Sequence, residues 1–394
     1  MAIAKKMRGF TEKSSWIRRM FEEGAVMKQK HGAENVYDFS LGNPDVPPPA
    51  AFSEALSRVC RDQQPGVHGY MANGGYPFAR EAVATRISRE QGMTLSGNEL
   101  LMTCGAAGAI NITLKALLDP GDEVILLAPY FVEYDFYIDN HGGVSRVVET
   151  DSEFGLDFVA IEQAINAKTK AIIINSPNNP TGRVYSTDEL QRLGALLRAA
   201  AEKRGAAIYL ISDEPYRGII FDGRICPGVF PVYRDSIIVG SHSKDLSLPG
   251  ERIGFAAVHP EIEDKASLLA AMTLANRILG FVNAPALMQR VVAELQDAAA
   301  PRAVYARRRD VFCQVLQEAG FQFQRPQGAF YIFPPTPIED DAKFCRILQE
   351  ERILAVPGRG FGRPGHIRLA FCVSEQVIVG AAAGFKKAIE NARN

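Results

Sequence analysis

Between about residues 98 and 258, short apolar runs rich in β-branched residues alternate with segments of helical pattern. Strands are predicted at 100–103, 123–128, 145–149, 171–174, 207–211, 236–239 and 253–258. Helices are predicted up to about 118 after a Gly/Ala-rich turn, at 131–141 and, from the capping-box pair Ser186 and Glu189, at 186–203. This alternation predicts an α/β fold with a mostly parallel, seven-stranded sheet flanked by helices.

The pattern is less regular toward both ends of the chain. Residues 43–49 include four prolines, which predict an extended segment that crosses the molecule. After Pro301 the sequence predicts a long polar helix, followed by strands at 328–333 and 366–373 among further helices. This tail is typical of a smaller α+β domain.

The most informative segment directly follows the predicted strand 236–239 and contains Ser241, Ser243, Lys244 and Arg252. Ligands of open α/β sheets bind at the carboxyl ends of the strands. Apolar surroundings there would lower the pKa of the lysine and make its amine a nucleophile toward an aldehyde. The two hydroxyls and the guanidinium suit a phosphate. Taken alone, the segment is explained at least as well by a solvated lysine beside a structural arginine.

Two further loops follow predicted strands and leave alternatives open. The prolines of 175–182 make a rigid turn that can aim Asn179 into the crevice, although an ordinary β-turn has the same composition. Asp213 can hold a proton on a heteroaromatic nitrogen, and Tyr216 can bind an oxygen of the same ring. A helix N-cap aspartate with a packed tyrosine explains this second pair equally well.

Three glycine-rich or basic segments carry weaker signals. Small residues at 105–107 let backbone N–H groups approach an anion at a helix terminus, although close helix packing explains them too. The G-x-G-x-x-G spacing of 360–365 contains a proline and precedes an apparent strand instead of a helix, so a dinucleotide site is disfavoured. The basic cluster 306–309 lacks interleaved base-stacking aromatics and is interpreted as a solvated helix face.

Charge and composition restrict the partners to small molecules. The 394 residues include 44 Lys and Arg against 45 Asp and Glu, so no global field attracts nucleic acid or an anionic membrane. An apolar fraction of 47% predicts a large buried core. The six cysteines are widely spaced, which disfavours both a disulfide framework and a zinc site, and no metal is expected. The lack of a secretory signal or membrane-spanning run predicts a cytoplasmic protein.

The order and spacing of these loops resemble the pyridoxal-phosphate aminotransferases of the aspartate aminotransferase superfamily, from about residue 37 to the end. The resemblance rests on Ser241-x-Ser243-Lys244 with Arg252, on Asn179-Pro-Thr-Gly182 and on Asp213-x-x-Tyr216. It implies a large cofactor-binding domain at 46–295. A small domain would be assembled from both ends of the chain, 1–45 and 296–394.

The resemblance also implies a role for each matching residue around pyridoxal 5'-phosphate. Lys244 would form the Schiff base and Asp213 would keep the pyridine nitrogen protonated. Tyr216 and Asn179 would bind the phenolate oxygen, and Phe131 would lie against the ring. The phosphate would be held by the residues Gly105, Ala106, Ala107, Ser241, Ser243 and Arg252. Tyr70 would reach the phosphate of the neighbouring subunit, which implies a homodimer with shared sites.

Substrate-binding residues follow from the same resemblance. Arg368 would receive the alpha-carboxylate, with further contacts from Gly42 and Asn179. Ala107 stands where some aspartate-using relatives carry a lysine for the side-chain carboxylate, which disfavours that subtype of aspartate specificity. Arg277 could offer a side-chain contact, but an exposed helix residue is the favoured interpretation.

The function implied is a ping-pong transfer of an amino group between an amino acid and a 2-oxo acid, in amino acid metabolism. Lys244 would act as general base and acid for the alpha proton. A carbon–sulfur beta-lyase or an aminocyclopropane-carboxylate-synthase-like lyase is the alternative with the same cofactor site. A non-catalytic regulator built on such a domain is a further alternative, which the intact Lys244, Asp213 and Arg368 disfavour.

Overall fold

A seven-stranded β-sheet forms the centre of the computed structural model, which describes residues 2–12 and 16–393. The strands are β1 Tyr37–Asp38, β2 Leu100–Thr103, β3 Glu123–Ala128, β4 Val144–Glu149, β5 Thr169–Asn175, β6 Tyr209–Asp213, β7 Ser236–Ser241, β8 Gly254–Val258, β9 Tyr331–Ile332, β10 Ile353–Leu354, β11 Val356–Pro357 and β12 Ile367–Ala370. The order in the large sheet is β2-β8-β7-β6-β5-β3-β4. Strand β8 runs antiparallel to β2 and β7, and the other neighbours are parallel.

Helices cover both faces of this sheet. They are α1 Lys5–Glu12, α2 Trp16–His31, α3 Ala50–Arg61, α4 Pro77–Gln91, α5 Gly105–Leu117, α6 Glu133–Asn140, α7 Phe158–Ala164, α8 Thr187–Arg204, α9 Lys265–Ile278, α10 Ala286–Ala293, α11 Arg302–Glu318, α12 Asp341–Glu350, α13 Glu375–Gly380 and α14 Ala382–Arg393. Val124 and Leu126 of β3 pack with α5 and α9, whereas Ile125 and Leu127 belong to the core shared with α4, α8 and α10. Strand β3 is therefore covered on both faces, which explains the apolar run within it.

Two small sheets lie outside the large one. Strands β11, β12 and β9 form an antiparallel sheet, and β1 pairs in parallel with β10. A separate hydrophobic core joins Phe39 to residues of the last quarter of the chain, including Phe312, Phe344 and Phe385. The chain's beginning and its end are thus packed together.

The predicted elements are confirmed, with changes at their ends. Strands β6 and β7 run on to Asp213 and Ser241, although 207–211 and 236–239 were predicted, because these buried polar residues stay paired in the sheet. Strand β9 contains only two of the residues predicted at 328–333. The capping box is present: the Ser186 hydroxyl accepts the Glu189 amide at 3.2 Å, and the Glu189 carboxylate accepts the Ser186 amide at 2.7 Å.

The interpretation of 306–309 as a solvated helix face is wrong for Arg309. Arg309 is 1% exposed and makes two hydrogen bonds to Asp222, of 2.7 and 2.8 Å. It belongs to the inward stripe of α11 with Tyr305 and Phe312, which lie four residues before it and three after it. Helical spacing, not residue type, decides its environment.

Two other interpretations agree with the structure. The segment 360–365 leads from a 3-10 helix at Gly358–Phe361 into strand β12, where a dinucleotide site would need a helix. Arg277 is an exposed residue near the end of α9. Among the described residues, no helix is both long and apolar enough to cross a membrane.

Candidate active site

Predicted site residues converge on one cavity of about 260 Å³ beyond the carboxyl ends of β5, β6 and β7. Those that line it are Gly42, Ala106, Ala107, Phe131, Asn179, Asp213, Tyr216, Ser241, Ser243, Lys244, Arg252 and Arg368. A larger groove of about 960 Å³ lies between α2 and α12 at the surface and contains none of them. The smaller cavity is therefore the candidate active site.

Lys244 lies in the loop after β7 with its amine in the cavity. The Nζ donates a hydrogen bond of 2.7 Å to the carbonyl oxygen of Gly42. Burial lowers the pKa of Lys244 to about 8, and the nearby cations Arg368 and Arg252 act in the same direction. The amine therefore loses its proton more readily than that of an exposed lysine, as a nucleophile or a base requires.

Asp213 ends strand β6 at the bottom of the cavity. Its Oδ2 accepts a hydrogen bond from the Tyr134 hydroxyl, and its buried Oδ1 has no partner among the described residues. Burial raises the pKa of Asp213 to about 7, and the neighbouring Glu214 carboxylate adds to this rise, whereas Tyr134 opposes it. A buried carboxyl group with one oxygen free suits a ligand that brings an N–H group or a positive charge.

Hydroxyls, a guanidinium and a helix terminus gather on another wall of the cavity. The hydroxyl oxygen of Ser241 accepts the Ser243 amide at 3.2 Å, and Arg252 donates to the carbonyl of Pro249 at 2.9 Å. Helix α5 begins at Gly105, whose φ is +70°. A Cβ there would lie 3.0 Å from Nη2 of Arg252, so the glycine permits a close approach. This wall suits an anion such as a phosphate.

Arg368 on β12 is a buried cation on the opposite side. Its Nη1 donates to Oδ1 of Asn179 at 3.2 Å and its Nη2 donates to the carbonyl of Ser40 at 2.5 Å. Its guanidinium carbon lies 4.7 and 4.8 Å from the ring centres of Tyr331 and Phe361. Within the described chain no carboxylate forms an ion pair with Arg368, and its Nε has no partner. Such a guanidinium is suited to a ligand carboxylate.

Asn179 and Tyr216 are held in place between these walls. The backbone N–H of Asn179 donates to Oδ1 of Asn175 at 2.7 Å, and Nδ2 of Asn175 donates to the carbonyl oxygen of Asp213 at 2.8 Å. The hydroxyls of Tyr216 and Tyr331 are 2.8 Å apart. The loop after β5 is therefore anchored to the end of β6, and the loop after β6 is anchored to β9.

Several lining residues were missed by the sequence reasoning: Ile110, Tyr134, Tyr137, Asn175, Pro215, Pro249 and Tyr331. Tyr134 is three residues after Phe131, one helical turn away, which is a signal that could have placed both on one face. Tyr331 had no comparable signal, because it comes from a small sheet at the far end of the chain.

Two predicted residues do not line the cavity. Gly105 lies beside it, against Arg252. Tyr70 is 93% exposed in the single chain and contributes nothing to the cavity of its own subunit. Its contact with a partner subunit stays a prediction.

The chain is similar to known aminotransferases over nearly its whole length. Residues 33–384 match the family model described as aminotransferase class I and II. An aspartate/prephenate aminotransferase of Thermus thermophilus is 35% identical over 361 residues, which are 90% of this chain and 91% of that protein. An aspartate aminotransferase of Thermotoga maritima is 33% identical over 346 residues, 86% of this chain and 88% of that protein.

Solved structures share the fold. A crystal structure of an aminotransferase from Eubacterium rectale superimposes with a TM-score of 0.96 at 38% identity, covering 100% of both chains. An aspartate aminotransferase from Thermus thermophilus with maleate has a TM-score of 0.87 at 28% identity, covering 98% of this chain and 100% of that one.

Proposed function

Because this chain belongs to the class I and II aminotransferases and is an enzyme of that family, we propose that its amino-group transfer takes place at Lys244. The substrates would be an amino acid and a 2-oxo acid, used in a ping-pong sequence. The observation that carries the proposal is one cavity that joins a buried amine, a buried carboxyl, an anion-binding wall and a second buried cation. Each of these four features has a separate task in the reaction.

Enzymes of this family generally depend on pyridoxal phosphate, and the cavity's residues suit that group. When bound, it supplies an aldehyde that condenses with amines and a ring that accepts the electron pair of a breaking C–H bond. The unpartnered Oδ1 of Asp213 would hold a proton on the ring nitrogen. Tyr216 and Asn179 would donate hydrogen bonds to the ring oxygen, and Phe131 would lie against the ring face.

The phosphate would be bound by the wall that contains Ser241, Ser243 and Arg252, with the amides of Ala106 and Ala107 at the start of α5. Gly105 would keep the approach open. We propose that the Tyr70 hydroxyl of a second subunit completes this wall, and that the enzyme works as a homodimer.

Arg368 would bind the alpha-carboxylate of the amino acid through its planar guanidinium, assisted by Gly42 and Asn179. The neutral Nζ of Lys244 would then take the alpha proton and deliver it to the aldehyde carbon of the cofactor, on the other side of the amino nitrogen. The pKa of about 8 suits both steps, because the amine can gain and lose a proton near neutral pH.

The test of this proposal is to locate the cofactor and follow the products. Borohydride reduction of the holoenzyme, followed by peptide mass spectrometry, is expected to give a phosphopyridoxyl adduct on Lys244. Lys244→Ala should lose the adduct and at least about 10³-fold in turnover. Lys265→Ala is the control, because Lys265 pairs with Glu99 at 2.8 Å and does not line the cavity. An adduct that persists in Lys244→Ala would overturn the assignment.

Products decide between the reactions that this site can support. Single amino acids added to the holoenzyme are expected to give the matching 2-oxo acid and convert the cofactor to its amine form. Pyruvate with ammonia from a cysteine conjugate would instead indicate a beta-lyase. Lack of turnover with a broad panel of amino acids would indicate a regulatory role.

A further inference from the structure

Tyr331 contacts three residues of the proposed site: Gly42, Tyr216 and Arg368. It is 2% exposed, belongs to β9 and lines the cavity. Its hydroxyl is 2.8 Å from the Tyr216 hydroxyl, and its ring centre is 4.7 Å from the guanidinium carbon of Arg368. We infer that Tyr331 is a positioning residue that acts on the cofactor through Tyr216 and on the substrate carboxylate through Arg368. This inference rests on the proposed function of the site.

The direction of the hydrogen bond between the two phenols follows from the ligand proposed for Tyr216. An ionised ring oxygen can only accept hydrogen bonds, so Tyr216 must give it its single hydroxyl proton. The Tyr331 hydroxyl must then be the donor in the bond to Tyr216. A phenol that already accepts a hydrogen bond is a stronger donor, because hydrogen bonds in a chain polarise one another.

The ring of Tyr331 has a second role, the contact with Arg368, which does not involve its hydroxyl. The guanidinium of Arg368 lies against the rings of Tyr331 and Phe361, whose centres are 4.7 and 4.8 Å from its carbon atom. An aromatic face attracts a buried cation and restricts the plane in which a guanidinium can turn. Two of the guanidinium nitrogens are already directed at Asn179 and Ser40. These two rings and two hydrogen bonds therefore restrict the orientation in which the guanidinium of Arg368 binds a carboxylate.

Gly42 shows how closely Tyr331 is fitted into the site. A Cβ built on Gly42 would overlap the Tyr331 hydroxyl, so this position has room for glycine alone. The carbonyl of the same glycine accepts the hydrogen bond from Lys244. Tyr331 thus contacts the backbone that holds the reactive amine, as well as Tyr216 and Arg368.

Two substitutions separate the hydroxyl from the ring. Tyr331→Phe removes the hydroxyl and keeps the ring against Arg368. In the holoenzyme, the visible absorption band of the bound cofactor changes with pH as the cofactor loses a proton. A donor to the ring oxygen stabilises the form that has lost the proton, because that form is more negative. Tyr331→Phe should therefore raise the pKa of this spectral change, by up to about one unit, with KM for the amino acid within about twofold of wild type.

Tyr331→Leu removes the ring as well. It should raise the spectral pKa in the same direction and also raise KM for the amino acid by roughly 2- to 30-fold. Tyr305→Phe is the matched control, because Tyr305 packs in the same core against Phe330, at 5.6 Å between ring centres, and does not line the cavity. It should leave the spectral pKa and KM unchanged.

The result that overturns the inference is a Tyr331→Phe holoenzyme whose spectral pKa equals that of wild type. An unchanged KM in Tyr331→Leu would overturn the part that concerns Arg368. Both measurements are made on enzyme with the adduct located on Lys244. If the proposed function is wrong, wild type itself carries no adduct on Lys244. If only the inference about Tyr331 is wrong, the adduct is present but the substitutions do not have the expected effects.

Discussion

Burial changes the proton affinity of the two ionisable residues at the centre of the cavity in opposite directions. It lowers the pKa of Lys244 to about 8 and raises the pKa of Asp213 to about 7, because the charged form of each loses solvation. The amine of Lys244 is thus easier to deprotonate near neutral pH. The carboxyl group of Asp213 would ionise more readily beside a positively charged ligand. Neither effect follows from residue type alone, since an exposed lysine or aspartate would keep its ordinary pKa.

The raised pKa of Asp213 makes the stability of the cofactor-free protein depend on pH. The pKa is about 7 in the folded protein against an ordinary value of 3.8. Between these values the folded state binds more protons than the unfolded state, so the Asp213 contribution to the free energy of unfolding decreases as pH rises. Asp213→Asn cannot ionise. Between pH 5 and pH 8, the free energy of unfolding of Asp213→Asn should therefore increase by about 2 to 3 kcal/mol relative to that of wild type.

Urea denaturation of the cofactor-free proteins at both pH values measures this difference. Asp188→Asn, at an exposed position in the first turn of α8, is the control and should follow wild type. Parallel curves for wild type and Asp213→Asn would contradict the raised pKa. In the holoenzyme the same substitution should lower turnover, because a neutral amide cannot hold the ring nitrogen protonated.

At the scale of elements, helix α11 shows how one helix divides its arginines between surface and core. Arg307 is an exposed partner of Glu375, whereas Arg308 pairs with Asp45 at 2.5 Å. Arg309 turns inward onto Asp222 and lies 4.6 Å from the ring centre of Phe221. It therefore connects α11 to the loop that follows Tyr216.

Arg309→Met should destabilise the protein by about 1 to 3 kcal/mol, because it removes three charge-assisted hydrogen bonds, two to Asp222 and one to Asp310, while keeping much of the buried volume. Arg307→Met on the same helix is the matched control. Its ion pair is at the surface and screened by solvent, so we expect a clearly smaller loss of stability than for Arg309→Met. Chemical denaturation of both variants makes the comparison, and equal losses would show that the buried pair contributes no more than the exposed one.

At the scale of the whole molecule, both ends of the chain contribute to the site. Gly42 and Ser40 come from the start of the chain, and Tyr331 and Arg368 from its end, whereas Lys244 belongs to the central part. We propose that residues 46–295 form the large domain and that 1–45 with 296–394 form the small one. The core shared by Phe39 and the last quarter of the chain supports this division.

The proposed homodimer gives the exposed Tyr70 a partner. If Tyr70 acts across the interface, Lys244→Ala subunits should supply an intact tyrosine to Tyr70→Ala subunits. Mixing the two after dissociation and reassociation should restore up to about one quarter of wild-type turnover at limiting cofactor, because half of the dimers are mixed and each has one complete site. Separately reassociated variants are the controls. No recovery in the mixture would contradict a shared site.

The amino-acid sequence is sufficient to predict the α/β alternation, the strands and the loops that carry Lys244, Asp213, Asn179 and Arg252. The physical reason is local: a strand covered on both faces must be apolar throughout, and the chemistry of such a sheet lies directly after it. Ser241 and Asp213 could be recognised as site residues, but their place inside the strand ends could not. Polar residues give no apolar signal, and only the backbone pairing shows where a strand stops.

The tertiary structure alone decided which distant residues meet. Tyr134 is 79 residues from Asp213, and Tyr331 is 115 residues from Tyr216, yet each pair is in contact. Contacts of this kind depend on the packing of whole elements, so local periodicity does not contain them. Burial, and with it the pKa of Lys244 and Asp213, is likewise a property of the assembled cavity.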